Sequence, residues 1–222
     1  DDVLVLSLGV RANYWGYNNE VNISPRGGIA YRPRWNEDML FRLSGGIYIQ
    51  PPFYRELRMF DGSLVSPEEA STQKSYQVVL THEYKFDAWN RPFILTSEFY
   101  YKYLKDIIPY EVDNIRIRYY ADQKATGYAT GLDLRLNGEF VKGIESWASL
   151  SLMKTAESIK YYLSPSGEIL SQTDINNGET YISDTLIRGI PRPSDQRINF
   201  SLFFQDYIPF IPSFKVNLKL VF

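Results

Sequence analysis

Side chains able to do chemistry are few in this chain, and their spacing excludes more than it suggests. His82 is its one histidine. A hydrolytic triad needs a base beside a nucleophile, and no second histidine can serve. HEYK at 82–85 carries the first half of an H-E-x-x-H zinc motif without the second ligand. Cysteine is absent, which excludes disulfides and thiolate metal sites. TDINNGE at 173–179 is rich in oxygen donors but lacks the spacing of a calcium loop. It reads as a polar Asn-Gly turn. The chain is therefore read as a non-enzyme, with no cofactor and no metal.

Binding is the more promising chemistry. QPPFYRELR at 50–58 follows a strand pattern. Its paired prolines stiffen the backbone. Phe53 and Tyr54 offer flat faces, Arg55, Glu56 and Arg58 offer charge, and Gln50 offers an amide. Aromatics beside arginine suit capture of sugars, peptides or chelates. IPYEVDNIRIRYY at 108–120, with Tyr110 and Arg118, has the same make-up. Both stretches equally suit packing against a plug or against neighbouring loops. Basic and acidic residues nearly cancel (24 against 26), so no nucleic-acid partner is implied.

The elements that must position these residues are strands. Period-two alternation runs almost throughout, and helical periodicity is nearly absent. The cleanest case is about 75–87. There Tyr76, Val78, Leu80, His82, Tyr84 and Phe86 face one way, and Ser75, Gln77, Thr81, Glu83 and Lys85 the other. Similar patterns cover about 3–14, 25–33, 39–50, 92–104, 127–137, 145–154, 195–206 and the end of the chain, giving about nine strands of roughly 9–12 residues. That length suits a tilted crossing of a bilayer better than a soluble sheet. No apolar run is long enough for a transmembrane helix. A mean hydropathy of −0.30 is compatible with strands that turn one face to a polar lumen. Arg42, Glu98, Lys102, Asp133, Arg135 and Arg197 fall on that polar face, with Glu98–Lys102 and Asp133–Arg135 expected as ion pairs along their strands.

Connections are expected to alternate in length. Stretches 32–38, 87–91, 137–144 and 206–213 are short, while 15–24, 51–74, 105–126 and 155–194 are longer. Outer-membrane barrels have this asymmetry, with short periplasmic turns and long extracellular loops. NIRIRYYA at 114–121 also alternates and is placed as a hairpin arm inside an extracellular loop. Aromatics such as Trp15, Tyr31, Trp35, Trp89 and Phe93 gather near strand ends, as interface girdles do. With long loops outside, the ninth strand runs outward and leaves Phe222 at the outer rim, whereas single-chain bacterial barrels have even strand counts. The opening DDVLVLSLGV has no basic start. Residues 1–222 are thus expected to be an all-β, antiparallel, up-and-down portion of a larger transmembrane barrel.

Several segments carry a family resemblance. ISPRGGIAYRP (23–33), followed by FRLSGGIYIQPPFYREL (41–57), resembles a strand pair of TonB-dependent outer-membrane receptors. SEFYYKYLKDIIPY (97–110), GYATGLDLRLNGEF (127–140), SWASLSLMKT (146–155) and RPSDQRINFSLFFQDYIP (192–209) are similar to further barrel strands of that family, in its Bacteroidota form with a carboxypeptidase-regulatory-like domain elsewhere. The resemblance implies a barrel of about 22 strands around a plug. It also implies multi-pass residence in a Gram-negative outer membrane, and active import of a glycan, peptide or metal chelate. Energy would come from the TonB-ExbB-ExbD complex through a plug region outside this chain, and a surface lipoprotein could form a lid. The alternative is a non-transporting barrel that scaffolds a surface lipoprotein or a secretion complex.

Overall fold

The computed structural model describes residues 3–166, 169–170, 181, 183–208 and 211–221. Phe222 and the Asn-Gly segment 173–179 lie outside them. The strands are β1 (Leu4–Trp15), β2 (Glu20–Tyr31), β3 (Met39–Gln50), β4 (Gln73–Ala88), β5 (Arg91–Ile107), β6 (Tyr110–Asp113), β7 (Arg116–Tyr119), β8 (Ala125–Val141), β9 (Ile144–Leu163), β10 (Ile169–Leu170), β11 (Ser183–Pro191), β12 (Ile198–Ile208) and β13 (Ile211–Val221). Nine of them follow one another in a single antiparallel sheet, in the order β1-β2-β3-β4-β5-β8-β9-β12-β13. β6 and β7 form a separate hairpin, where the alternation of 114–121 places a loop arm. The fold is all-β, antiparallel and up-and-down.

Register explains why alternation was the dominant signal. Leu6, Ile29, Leu43, Leu80, Phe99, Leu132, Leu152 and Ile198 pair side by side across eight strands. One residue along, Ala30, Arg42, Thr81, Glu98, Asp133, Ser151 and Asn199 form the adjacent row. Successive side chains of a strand point to opposite faces, so the first row lies on an apolar face and the second on a polar one. Among the described residues, no second layer covers the apolar face: Leu6 and Ile198 are each 67% exposed, and Leu8 is 92% exposed. The two buried apolar clusters lie in the loop lobe, around Leu57 and Val65, and at the loop end of the wall, around Ile107, Ala125 and Ile159.

At one end of the sheet the turns are tight. Trp89 and Asn90 join β4 to β5 with φ of 54° and 57°, the pair of left-handed residues that a two-residue hairpin requires. Trp89 is held there by an edge contact with Phe93, their ring centroids 5.8 Å apart. Phe93 also meets Phe86 and Phe140 and is 2% exposed. Lys142 and Gly143 join β8 to β9, with Gly143 at φ 76°. On the apolar face of β4, this aromatic cluster and the Tyr76–Tyr103 pair bracket the aliphatic rows. Phe86 and Tyr76 are ten residues apart. At about 3.3 Å per residue and a tilt of about 40°, the band between them is about 25 Å tall.

The structure corrects three boundaries. The 15–24 connection is a four-residue turn, 16–19, because β2 begins at Glu20. The first pair of connections therefore does not follow the short–long alternation. β9 continues to Leu163, and Ser183–Pro191 forms β11 against its upper half. Much of the expected 155–194 loop is thus strand. β11 and β12 lie end to end along β9, which pairs with Ser183–Pro191 through Ala156–Leu163 and with Ile198–Phe203 through Trp147–Leu152. Asp195 fills the break between them by accepting a 2.7 Å hydrogen bond from the Thr155 backbone N–H.

Candidate functional site at the loop rim

The long connections 51–72 and 108–124 sit at the same end of the sheet and build a lobe. Pro51 and Pro52 lead into a tight turn in which the backbone N–H groups of Glu56 and Leu57 donate to the Phe53 carbonyl. Glu56 closes the turn by accepting from the Phe53 N–H at 2.8 Å, and it also accepts from the Gln73 amide at 3.0 Å. Leu57, Val65, Ala70 and Ala121 form a small core, sealed by Trp15, Tyr17 and Met59. Polar ties fix the lobe to the β1–β2 turn. Tyr17 donates to the Val65 carbonyl at 2.6 Å, and Asn18 donates to the Ala70 carbonyl at 3.0 Å. Thr72, fully buried, donates to Glu20 at 2.9 Å. The aromatic rings of Phe60 and Tyr120 meet edge to face at 5.3 Å.

Four arginines line one pocket on this scaffold. Arg55 and Arg58 come from the 51–72 loop, and Arg116 and Arg118 from β7. The pocket encloses about 660 Å³, and Phe60 and Tyr119 are among its walls. Among the described residues, no carboxylate lines it. Glu56 serves Phe53 and Gln73, and Asp61 accepts from Ser63 at 2.6 Å, while Glu111 and Asp113 pair in register with Arg118 and Arg116 directly across the hairpin. The Ser63 hydrogen bonds hold the Asp61 carboxyl below its usual range. Burial pushes the Tyr119 hydroxyl above its ordinary range, the charge of Glu56 adds to this, and Arg55 opposes it. The Tyr119 ring lies 5.9 Å from that of Tyr110, on the face of β7 opposite Arg116 and Arg118.

A second concavity, of about 840 Å³, lies on the polar face just below the lobe. Gln50 and Glu56 line it, together with Arg11, Arg26, Tyr48 and Gln77. The Arg26 guanidinium lies over the Tyr48 ring at 4.5 Å. Gly9 and Gly46 flank Arg26 in register on either side. A Cβ at Gly46 would stand 2.8 Å from the Pro25 carbonyl oxygen and 3.0 Å from Arg26 Cγ, so the bare backbone there makes room for the arginine.

The expected site residues divide between these places. Arg55, Arg58 and Arg118 meet in the rim pocket, while Gln50 and Glu56 line the polar-face cleft. Phe53 and Tyr54 are exposed and line neither. Tyr110 is covered by Arg192, whose guanidinium carbon is 5.6 Å from the ring centroid. Arg116 was missed, although RIRY puts it on the same side of its strand as Arg118. Arg11, Arg26 and Tyr48 were also missed, and only the register of three strands gathers them.

On the polar wall, Arg42, Glu98 and Asp133 occupy one row, with Arg135 on the next row and Lys102 two rows away. The expected ion pairs along a strand are replaced by contacts across strands or by other partners. Arg42 pairs with Glu83, Glu98 accepts from Thr81 at 3.2 Å, and Lys102 lies 5.0 Å from the centroid of the Tyr100 ring. Arg135 donates to Asn137 at 3.0 Å and covers Trp147, and Arg197 pairs with Asp195 at 2.6 Å. Directly opposed residues are about 5 Å apart and residues two apart on one strand about 7 Å apart, and long side chains here use both directions: Arg42 and Glu98 reach across, Lys102 and Arg197 along. His82 stacks on Phe41 at 4.7 Å, in an apolar-face row.

No protein-family model, curated protein or solved structure matches the chain. Fold and site geometry therefore carry the functional reading.

Proposed function

We propose that this chain is wall and loop of an outer-membrane β-barrel receptor of the TonB-dependent type, which captures a nutrient on its loops and imports it past a plug. One observation carries the membrane part of the reading. Among the described residues, a single meandering sheet leaves its apolar face without a second layer, between two aromatic levels about 25 Å apart, while its other face is charged and polar. A soluble protein would bury such a face under a second layer. An all-β sheet without apolar helices is compatible with an outer-membrane barrel. β1 and β13 pair on one side only among the described residues. In lipid, each unpaired backbone group on such an edge costs several kcal/mol, which supports further strands completing a barrel of about 22. The order of family-like segments supports the receptor type, and the loop lobe with its clefts supports capture.

The test is fractionation of native membranes, combined with uptake. The full protein is expected in the outer membrane, with loop 51–72 open to protease from outside. Growth on its nutrient should stop when either the receptor or TonB is removed. Recovery in a soluble fraction would overturn the barrel. Membrane residence with growth unaffected by TonB would overturn import and favour the scaffold.

A further inference from the structure

We infer that Arg11 and Arg26, in the polar-face cleft below the lobe, hold an oxyanion of the imported solute: a carboxylate, sulfate or phosphate. The inference rests on the receptor reading, which turns this face to the lumen and puts the cleft on the path inward from the loops. Arg11 lies opposite Ser24, and Arg26 follows Ser24 by two residues on the same face. The arginines are thus diagonal neighbours, about 7–8 Å apart. No acid stands beside either in the register. Arg26 has Gly9 and Gly46 opposite it, with Ser7, Ser44 and Tyr48 on its other diagonals. Arg11 has Gly9 and Asn13 along its strand and Asn22 on its other diagonal. Among the described residues, neither arginine forms an ion pair. The other charges lining the cleft are matched. Lys74 pairs with Asp106 at 3.7 Å, Arg192 pairs with Glu157 at 3.5 Å, and Glu56 accepts from the Phe53 N–H and the Gln73 amide. Two positive charges are left over.

The surroundings are rich in donors. Arg11 spends its Nε on Asn13 at 3.1 Å, which leaves both Nη groups for a ligand. Arg26 stacks on Tyr48, a contact that leaves the N–H edge of its guanidinium unspent. Ser24, between them in register, is 1% exposed, and its hydroxyl has no hydrogen-bond partner among the described residues. A Cβ at Gly9 would meet nothing within 4 Å, so the space beside Arg26 is open on that side. Planar guanidinium forks match oxyanions in bidentate geometry. The amides of Gln50 and Gln77 can serve the neutral part of the solute, and about 840 Å³ suits a ligand of several rings or residues.

The probe is benzene-1,3,5-tricarboxylate, titrated calorimetrically into the purified full-length protein in detergent. The neutral tricarboxamide of the same shape serves as comparison. The tricarboxylate should bind, the tricarboxamide should not, and affinity should fall as salt rises from about 50 to about 200 mM. Arg11→Gln with Arg26→Gln should weaken binding by about tenfold or more, and the matching Lys pair should recover only part of it, since an ammonium lacks the fork. Gly9→Leu keeps every charge but fills the space beside Arg26, and it should weaken binding too. Lys85→Gln with Lys142→Gln, at the opposite end of the sheet, should change nothing. Unchanged migration on unheated gels checks that each variant is folded. Equal binding of the tricarboxamide, or unchanged binding by the double Arg→Gln variant, would overturn the site. Loss in that variant without loss in Gly9→Leu would move the anion out of the cleft. No binding by the intact protein, with a plug that opens to protease in the double Arg→Gln variant, would reassign both arginines to a carboxylate of the plug. No binding with the plug unchanged would overturn the oxyanion seat outright. Any of these results, in a protein still located in the outer membrane and still dependent on TonB for growth on its nutrient, defeats this inference and leaves the receptor reading intact.

Discussion

Glu98 and Asp133 are direct cross-strand partners on the polar face, with Thr81 the only group donating to Glu98 among the described residues. Like charges opposed in a ladder destabilise it. Glu98→Gln is therefore expected to raise stability, by about 0.2–1 kcal/mol. The measurement is the urea midpoint of the protein refolded in lipid vesicles. A lower midpoint would mean that the pair is held by a cation the sheet does not supply. The same scale shows what residue identity alone could not reveal. Arg55, Arg58 and Arg118 were visible as charge beside aromatics, but their meeting joins segments some sixty residues apart in the chain. That convergence exists only once β4 and β5 have brought the two loops to one rim. The expected pairs Glu98–Lys102 and Asp133–Arg135 failed for separate reasons: Lys102, four residues from Glu98, lies over the intervening Tyr100, and Arg135 turns to Asn137 and Trp147.

Alternation told the strands apart from everything else because each crosses a zone with one apolar side and one polar side. It also identified the 114–121 arm as a hairpin outside the sheet. Where both faces are polar the signal fades. In β9, Leu150 and Leu152 share their face with Lys154, Ala156, Ser158 and Lys160, so the strand seemed to stop near 154. The backbone continues as strand to Leu163, supported by β11. One pair of substitutions tests the sidedness. Leu80 lies mid-band on the apolar face, and Thr81 lies on the polar one. Leu80→Arg is expected to cost about 2–4 kcal/mol of folding stability in a bilayer, and Thr81→Arg much less. Comparable costs for the two would contradict a lipid-facing surface. In a soluble sheet, Leu80 at 46% exposure would tolerate the change within about 0.5 kcal/mol.

At the scale of the whole molecule, the chain never needs to search far for a partner strand. β1 to β5 pair in order, and β8, β9, β12 and β13 continue the sequence once the hairpin and the loop strands are set aside. The sheet thus grows by adding neighbours, and its stability in water is limited by the apolar face it cannot cover. Loop residues line the rim pocket, and the wall holds them at fixed spacing. The end-to-end arrangement of β11 and β12 along β9 has a mechanical consequence. β9 is a splint across a seam, gripping both pieces through separate ladders, with the Asp195–Thr155 hydrogen bond between them. A protease site introduced between Pro193 and Ser194 could be cut without dismantling the wall. The nicked protein should run as one species on an unheated gel and fall into two pieces on boiling. Separation before boiling would show that the seam, rather than the splint, bears the load.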